Sequence, residues 1–213
     1  MPTTVTLNPD FLDEFSVREI VRCLRAGGII IYPTETFYGI GALFTIEKTL
    51  KRLFSIKQRD AGKPVLLLIP DVTFIKNISS AVPPVLEKLA GIFWPGPLTL
   101  LIEASPHLSP LVTGHNRTVG IRISSNPVVQ YILALLQDGI TSTSANISGD
   151  VSPSSIEEIP TALLNAVDIV IDGGKTPGGS HSTVFDIAST PYKTVREGAI
   201  STRQIMKVLE EAR

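Results

Sequence analysis

Residues 29–41 read IIIYPTETFYGIG. Three isoleucines and a tyrosine have the β-branched and aromatic character of a buried strand. The text then turns polar without turning charged. Pro33 is followed by Thr34, Glu35 and Thr36, then by two aromatics and by glycines at 39 and 41. Such a turn, pinned by proline and glycine, is either a threonine-capped connection or a binding surface. What the rest of the chain brings beside it decides between the two.

Working outward, residues 16–26 (SVREIVRCLRA) place Val17, Ile20, Val21 and Leu24 on one helical face, with Ser16 as the expected N-cap. Gly27-Gly28 ends that helix ahead of a strand over 28–32. Downstream, 46–57 (IEKTLKRLFSIK) is amphipathic, 65–69 is a short strand, and Pro83-Pro84 opens a helix that runs to about Gly91. Strands are expected at 98–103 and 118–123. Residues 126–137 (NPVVQYILALLQ) have an asparagine cap, a proline in the first turn and an apolar body. Short strands follow near 140–143, 167–171, 183–187 and 193–196, and a helix capped by Ser201 covers 201–212. This alternation predicts an α/β or α+β fold, a mixed sheet flanked by helices. Segment 172–182 (DGGKTPGGSHS) is glycine-rich and expected as a mobile surface loop, either a linker or a lid on a site.

The bulk composition removes several classes of function. The 213 residues are 43% hydrophobic and 18% charged with a net charge of −1. That composition supports a sizeable core but not a chain that grips nucleic acid over its whole surface. Cys23 is the only cysteine, so neither an intrachain disulfide nor a cysteine-rich metal site can form, and it reads as a packed helix residue. The N-terminus lacks the basic and apolar regions of a signal peptide, and no apolar run is long enough to span a bilayer. A cytoplasmic protein is expected. His107, His115 and His181 lack ligand spacing and read as surface loop residues, so no metal site is predicted.

Polar chemistry gathers at five other places. IKQRDAGKPV (56–65) sets Lys57, Arg59 and Lys63 close together after a helix. This is either a solvated basic turn or a clamp for an oxyanion. TVGIRIS (118–124) buries Arg122 in an apolar strand, where it must be paired or face a cleft. STSANISG (142–149), HSTVFDI (181–187) and REGAIS (196–201) end strands in hydroxyls, an asparagine or an arginine. Ligands in open α/β sheets gather where strand ends converge, so these segments predict a cleft for a nucleotide and a small zwitterion. GxxxxGK[ST], GxGxxG and GxSxG are all absent, which favours an enzyme that positions reactants and stabilises charge over one that forms a covalent intermediate.

Read together with WPGPLTLLI (94–102), these segments resemble the YrdC-like family of threonylcarbamoyl-adenylate synthases, in the family's order and spacing from about residue 16 to 208. The resemblance implies a single YrdC-like domain with a twisted mixed sheet and a concave basic cleft, without the second C-terminal domain of longer relatives. It implies that L-threonine, bicarbonate or CO₂, and ATP (with Mg²⁺) give threonylcarbamoyl-AMP and pyrophosphate. Partner proteins then move the threonylcarbamoyl group to the tRNA adenosine beside the anticodon. It further implies that Thr34, Arg122 and Ser182 contact threonine, and that Lys57, Arg59, Arg196 and Lys63 contact the ATP phosphates, with Lys57 and Arg59 the catalytic pair. Thr118, Ser144, Asn146 and Ser152 would contact the nucleotide. The sequence departs from the family pattern at Asp60, at Lys63-Pro64 and at Leu68, where many relatives have histidine. Two alternatives stay open: a related enzyme (YciO-like or carbamoyl-adenylate-forming) and a module that binds double-stranded or ribosomal RNA.

Overall fold

The computed structural model describes residues 2–8, 10–79 and 81–210. Along the chain lie β1 (Thr3–Thr6), α1 (Glu14–Arg25), β2 (Ile30–Tyr32), β3 (Gly39–Gly41), α2 (Glu47–Ile56) and β4 (Leu66–Leu68). Then come α3 (Val85–Phe93), β5 (Leu98–Glu103), α4 (Pro110–Thr113), β6 (Thr118–Arg122), α5 (Pro127–Leu136) and β7 (Ile140–Ser144). α6 (Thr161–Ala166), β8 (Ile169–Asp172), β9 (Thr183–Asp186), β10 (Lys193–Arg196) and α7 (Thr202–Glu210) complete it. The ten strands form one mixed sheet in the order β1-β8-β2-β3-β7-β4-β6-β5-β9-β10. The expected mixed α/β architecture is what forms.

Three local expectations differ. α1 begins before Ser16, because the Asp13 carboxylate caps it, accepting from the amides of Phe15 (3.4 Å) and Ser16 (2.8 Å). An aspartate there satisfies orphan amides and also complements the helix dipole, so it displaces serine as the cap. β3 is a strand where only a glycine-punctuated turn was expected. It pairs with β2 on one side and β7 on the other. A Cβ at Gly41 would lie 1.8 Å from the Thr141 carbonyl oxygen, so glycine is what lets β3 enter between its neighbours. β1 went unread because its four residues are mostly exposed at the sheet edge and carry no apolar alternation. At the other end, residues 211 and 212 of the expected last helix lie outside the described residues.

The Ser201 cap is present as a reciprocal pair. The Gln204 amide donates to Ser201 Oγ at 3.3 Å, and the Ser201 amide donates to Gln204 Oε1 at 2.9 Å. Ser201→Ala is therefore expected to cost about 1 kcal/mol, read as a lowered urea midpoint with an unchanged slope.

The two faces of the sheet are covered unequally, and this makes the site. On one face, Leu98, Leu100, Ile102, Val119, Ile121 and Phe185 bury against Leu86 and Leu89 of α3 and Ile205 and Val208 of α7. Further along that face, Ile29, Ile31 and Ile40 pack with Leu53 of α2 and Leu163 of α6. On the opposite face, Ile30, Tyr32 and Ile140 bury under Val17, Ile20 and Leu24 of α1 and Val129, Ile132 and Leu133 of α5. Past α5 that face carries alternate residues of quite different character: Thr99 and Leu101, Gly120 and Arg122, Ser142 and Ser144. Successive strand residues point to opposite faces, so the polar set is the uncovered continuation of the α1/α5 face.

Candidate active site

The uncovered face is the floor of a cavity of about 340 Å³. The strand registers set its residues side by side. Arg196 of β10 lies opposite Val184 of β9, and Val184 lies beside Thr99 of β5. The β5–β6 register of Leu100 with Ile121 then puts Thr99 across from Arg122. A second row runs from Leu101 through Gly120 to Leu66 and Ser142. The site thus lies across the face of the sheet. The sequence had pointed to strand ends because the strands are short, so that floor residues fall near their termini. At Gly120 a Cβ would come within 3.2 Å of the Leu101 side chain and 3.3 Å of Thr99, so glycine keeps the middle of the floor low.

Three of the lining residues, Arg59, Arg122 and Arg196, are arginines. Arg122 is 3% exposed, and its Nε lies 3.4 Å from Oε1 of Glu35, the carboxylate of the PTET turn. The other Glu35 oxygen accepts a hydrogen bond from Ser124 Oγ. Both options open at Arg122 are therefore realised: it is paired behind and faces the cleft in front. Arg196 donates from Nη2 to the Ser182 carbonyl at 2.9 Å and to Ser182 Oγ at 3.3 Å. Burial and then the nearby Arg122 charge hold the Arg196 guanidinium below the usual arginine range. Glu35 is ion-paired with Arg122, whereas Arg196 is bonded to the neutral oxygens of Ser182; guanidiniums so placed are suited to an anion.

Thr34 lines the cavity from the turn, where its hydroxyl donates to the Phe37 carbonyl at 2.7 Å and lies 3.0 Å from the Thr36 hydroxyl. Ser182 lines it from β9's approach, with Oγ 3.0 Å from Thr99 Oγ1. Ser144 lines it from β7, and its hydroxyl donates to Asn146 Oδ1 at 2.5 Å. Of the residues singled out in the sequence, Thr34, Arg59, Arg122, Ser144, Ser182 and Arg196 share this cavity.

The others lie outside its lining. Lys57 is 1% exposed, and its ammonium donates to the carbonyls of Ser144 (2.5 Å) and Asn146 (2.6 Å). It holds the tip of β7 from behind. Burial first, and the Arg59 charge second, push it down to about 8. Asn146 is buried, holds Ser144 and donates to the Asp150 carbonyl at 2.6 Å. Ser152 is buried and does not line the cavity, Thr118 sits further out on β6, and Lys63 is an exposed loop residue. Arg59 reaches the cavity and donates to the Pro64 carbonyl at 2.7 Å, while its buried Nε has no partner.

One sequence reading changes here. The 172–182 segment is stitched down and is no free linker. Tyr38 Oη donates to the Gly174 carbonyl (2.7 Å), the Thr176 amide donates to the Ser154 carbonyl (2.8 Å), and the Gly178 amide donates to the Thr36 carbonyl (2.7 Å). Its end forms a wall of the cleft beside the PTET turn. His181 is an exposed loop residue, as read from the sequence, and it also lines that wall, with its ring centroid 4.7 Å from that of Phe37 at a 42° tilt. Phe37 and the floor pair Thr99 and Ser142 were also missed. For Thr99 the signal available was positional, a lone hydroxyl among the leucines of β5; Ser142 lies in the hydroxyl-rich run ITSTS of β7, which singles out no one residue. The expectation for Cys23 fits its surroundings, since burial pushes the thiol up to about 11, away from reactivity.

Known proteins share this fold. The family model for Sua5, YciO and YrdC proteins, described as telomere recombination, matches residues 22–198. A threonylcarbamoyl-AMP synthase of Pyrococcus abyssi is 34% identical over 202 residues, covering 95% of this chain and 59% of that protein. The structure of P. abyssi Sua5 complexed with L-threonine superposes with a TM-score of 0.91 at 32% identity, covering 99% of this chain and 61% of that one. The crystal structure of E. coli YciO gives a TM-score of 0.86 at 26% identity, covering 96% of this chain and all of that one. The chain thus spans about three fifths of the length of the Pyrococcus protein that it matches.

Proposed function

The chain belongs to the Sua5, YciO and YrdC family, and from that membership we propose that it makes L-threonylcarbamoyl-AMP from L-threonine, bicarbonate or CO₂, and ATP, releasing pyrophosphate. One observation carries the reading: Arg122, ion-paired with Glu35 behind it, and Arg196 stand together on the cleft floor, beside the hydroxyls of Thr34 and Ser182. That set suits a small amino acid with a carboxylate and a hydroxyl. Arg122 binds the threonine carboxylate, and Thr34 and Ser182 complete that end. Arg59 meets the ATP phosphates from the opposite wall, with Arg196 between the two substrates. Lys63 is a further phosphate contact, and Ser144 and Thr118 contact the nucleotide. Lys57 and Asn146 act through the β7 tip, which they hold, and Ser152 is a further contact on the nucleotide side.

The chemistry asked of these residues is to bind, orient and neutralise charge. Threonine's nitrogen, once carboxylated, supplies the nucleophile that attacks the α-phosphorus, and pyrophosphate leaves. The guanidiniums offset the charge that builds on the phosphate oxygens, and the cavity walls exclude water from the labile product. Among the described residues no cluster of three or more histidine, cysteine or carboxylate side chains is fit to hold a metal, so magnesium would enter with the ATP phosphates. The product would serve proteins that threonylcarbamoylate tRNA, in the cytoplasm. No helix among the described residues is long and apolar enough to cross a membrane.

The test is pyrophosphate release from ATP and bicarbonate, with and without L-threonine, with the adenylate identified by mass. Release that depends on threonine is the expected result. ATP binding without threonine dependence would favour a related enzyme, for which the full-length match to YciO is the supporting observation. RNA binding without ATP binding would favour the RNA module.

A further inference from the structure

We propose that His181 is a catalytic residue of this site, the base that takes a proton from the ammonium of the amino-acid substrate before its nitrogen bonds to carbon dioxide. The inference rests on the synthase reading above. An ammonium has no lone pair, so it must lose one proton to become a nucleophile, and the nitrogen loses a second when the carbamate forms. Bicarbonate releases carbon dioxide by giving up hydroxide, which takes one of the two protons and becomes water. One N–C bond forms, one C–O bond of bicarbonate breaks, and one proton is left over for the protein.

The side chains that line the cavity leave one receiver for it. Arg59, Arg122 and Arg196 are donors only. The threonine and serine hydroxyls are too weakly basic. Burial holds the Tyr38 phenol up at about 12, so it stays protonated. Glu35 does not line the cavity; one carboxylate oxygen is ion-paired with Arg122 at 3.4 Å without a hydrogen bond, and the other accepts from Ser124. Lys57 sits behind β7 with its ammonium on two carbonyls. His181 remains, and it stands at the right end of the cleft. It precedes Ser182, and its ring rests on Phe37, whose carbonyl holds the Thr34 hydroxyl. Its own carbonyl accepts from the Ala199 amide at 2.8 Å, which ties the backbone beneath the ring to the segment after β10.

The electrostatics favour the role. Burial first, and then the Arg196 charge on β10, hold the imidazolium below the ordinary histidine range, so the ring is neutral at pH 7. Arg122 on β6 adjoins Arg196, and Glu35 offsets Arg122 from behind. The same guanidiniums disfavour a substrate ammonium, which makes its proton easier to remove. The ring is also partly open to solvent, which gives the proton a way out.

The experiment is H181Q, measured by threonine-dependent pyrophosphate release across pH 5.5 to 8.5. The wild type is expected to lose activity as pH falls below the ordinary histidine range, because protonation removes the base. H181Q is expected to lose about 100-fold in kcat, with KM for threonine within about 3-fold, and to lose the acid limb. Added imidazole is expected to restore part of the rate, an effect that a purely structural role would not produce. ATP binding and thermal unfolding of H181Q, matched to wild type, verify its fold. A properly folded H181Q with wild-type kcat, or one that keeps the acid limb, overturns the inference. A wild type that releases no threonine-dependent pyrophosphate overturns the synthase reading instead.

Discussion

Arg122→Ala is expected to lower kcat/KM for L-threonine by at least about 100-fold while ATP affinity changes by less than about 3-fold. A charge-assisted hydrogen bond contributes about 1.5–3 kcal/mol, a guanidinium can present two in parallel to one carboxylate, and about 1.4 kcal/mol is tenfold. Arg122 is held for this by its burial on β6 and by Glu35 behind it. The same substitution strands Glu35, whose side chain is only 10% exposed, without its counter-charge. Breaking a buried pair from one side costs roughly 3–5 kcal/mol, so the variant should also unfold at a markedly lower urea concentration. The two effects separate in a double variant. Adding Glu35→Gln removes the stranded charge, so much of the stability should return while activity stays lost. Activity that recovered along with stability would show that Arg122 acts only by holding the fold, and the assigned carboxylate contact would be wrong.

That distinction also marks what was legible in the sequence. Strands such as β5 and β6 were readable because their alternation is strong: Leu98, Leu100 and Ile102 on one side, Val119 and Ile121 on the other strand's matching side. α5 was readable because asparagine, proline and an apolar body agree, and Asn126 Oδ1 does accept from the Val128 amide at 3.0 Å. β3 was hidden because Gly39 and Gly41 have no strand preference of their own; the close approach of Tyr32 and Thr141 selects glycine there. The order of strands was hidden altogether, since hydrogen-bond partners leave no local signature. Without that order, Thr99, Ser142 and His181 could not be placed in one cavity, and Lys57 could not be distinguished from Arg59. Both are cations after the same helix, yet one turns inward to carbonyls and the other reaches the cleft.

Lys57 therefore supplies the second large effect, and it is one of stability. Lys57→Met keeps most of the side-chain volume but leaves the Ser144 and Asn146 carbonyls without their donor in a buried setting. An unsatisfied buried polar group costs about 1–3 kcal/mol, so two should cost roughly 3–5 kcal/mol, offset in part by relief of a desolvated charge. Net, a loss of about 2–3 kcal/mol is expected near pH 7, or roughly 5–10 °C in Tm. The pH dependence is diagnostic. Burial pushes Lys57 from 10.5 down to about 8, so above that pH the folded state has released a proton that the unfolded chain still holds. The unfolded state then binds more protons, and stability contributed by this site rises with pH until the unfolded lysine titrates. The gap between wild type and Lys57→Met should widen from pH 8 to about pH 9.5, measured by chemical denaturation at both. A gap that stayed constant would mean that the ammonium titrates normally and is not confined as described. A gap that narrowed would mean that the two carbonyls favour the charged form more strongly than burial opposes it.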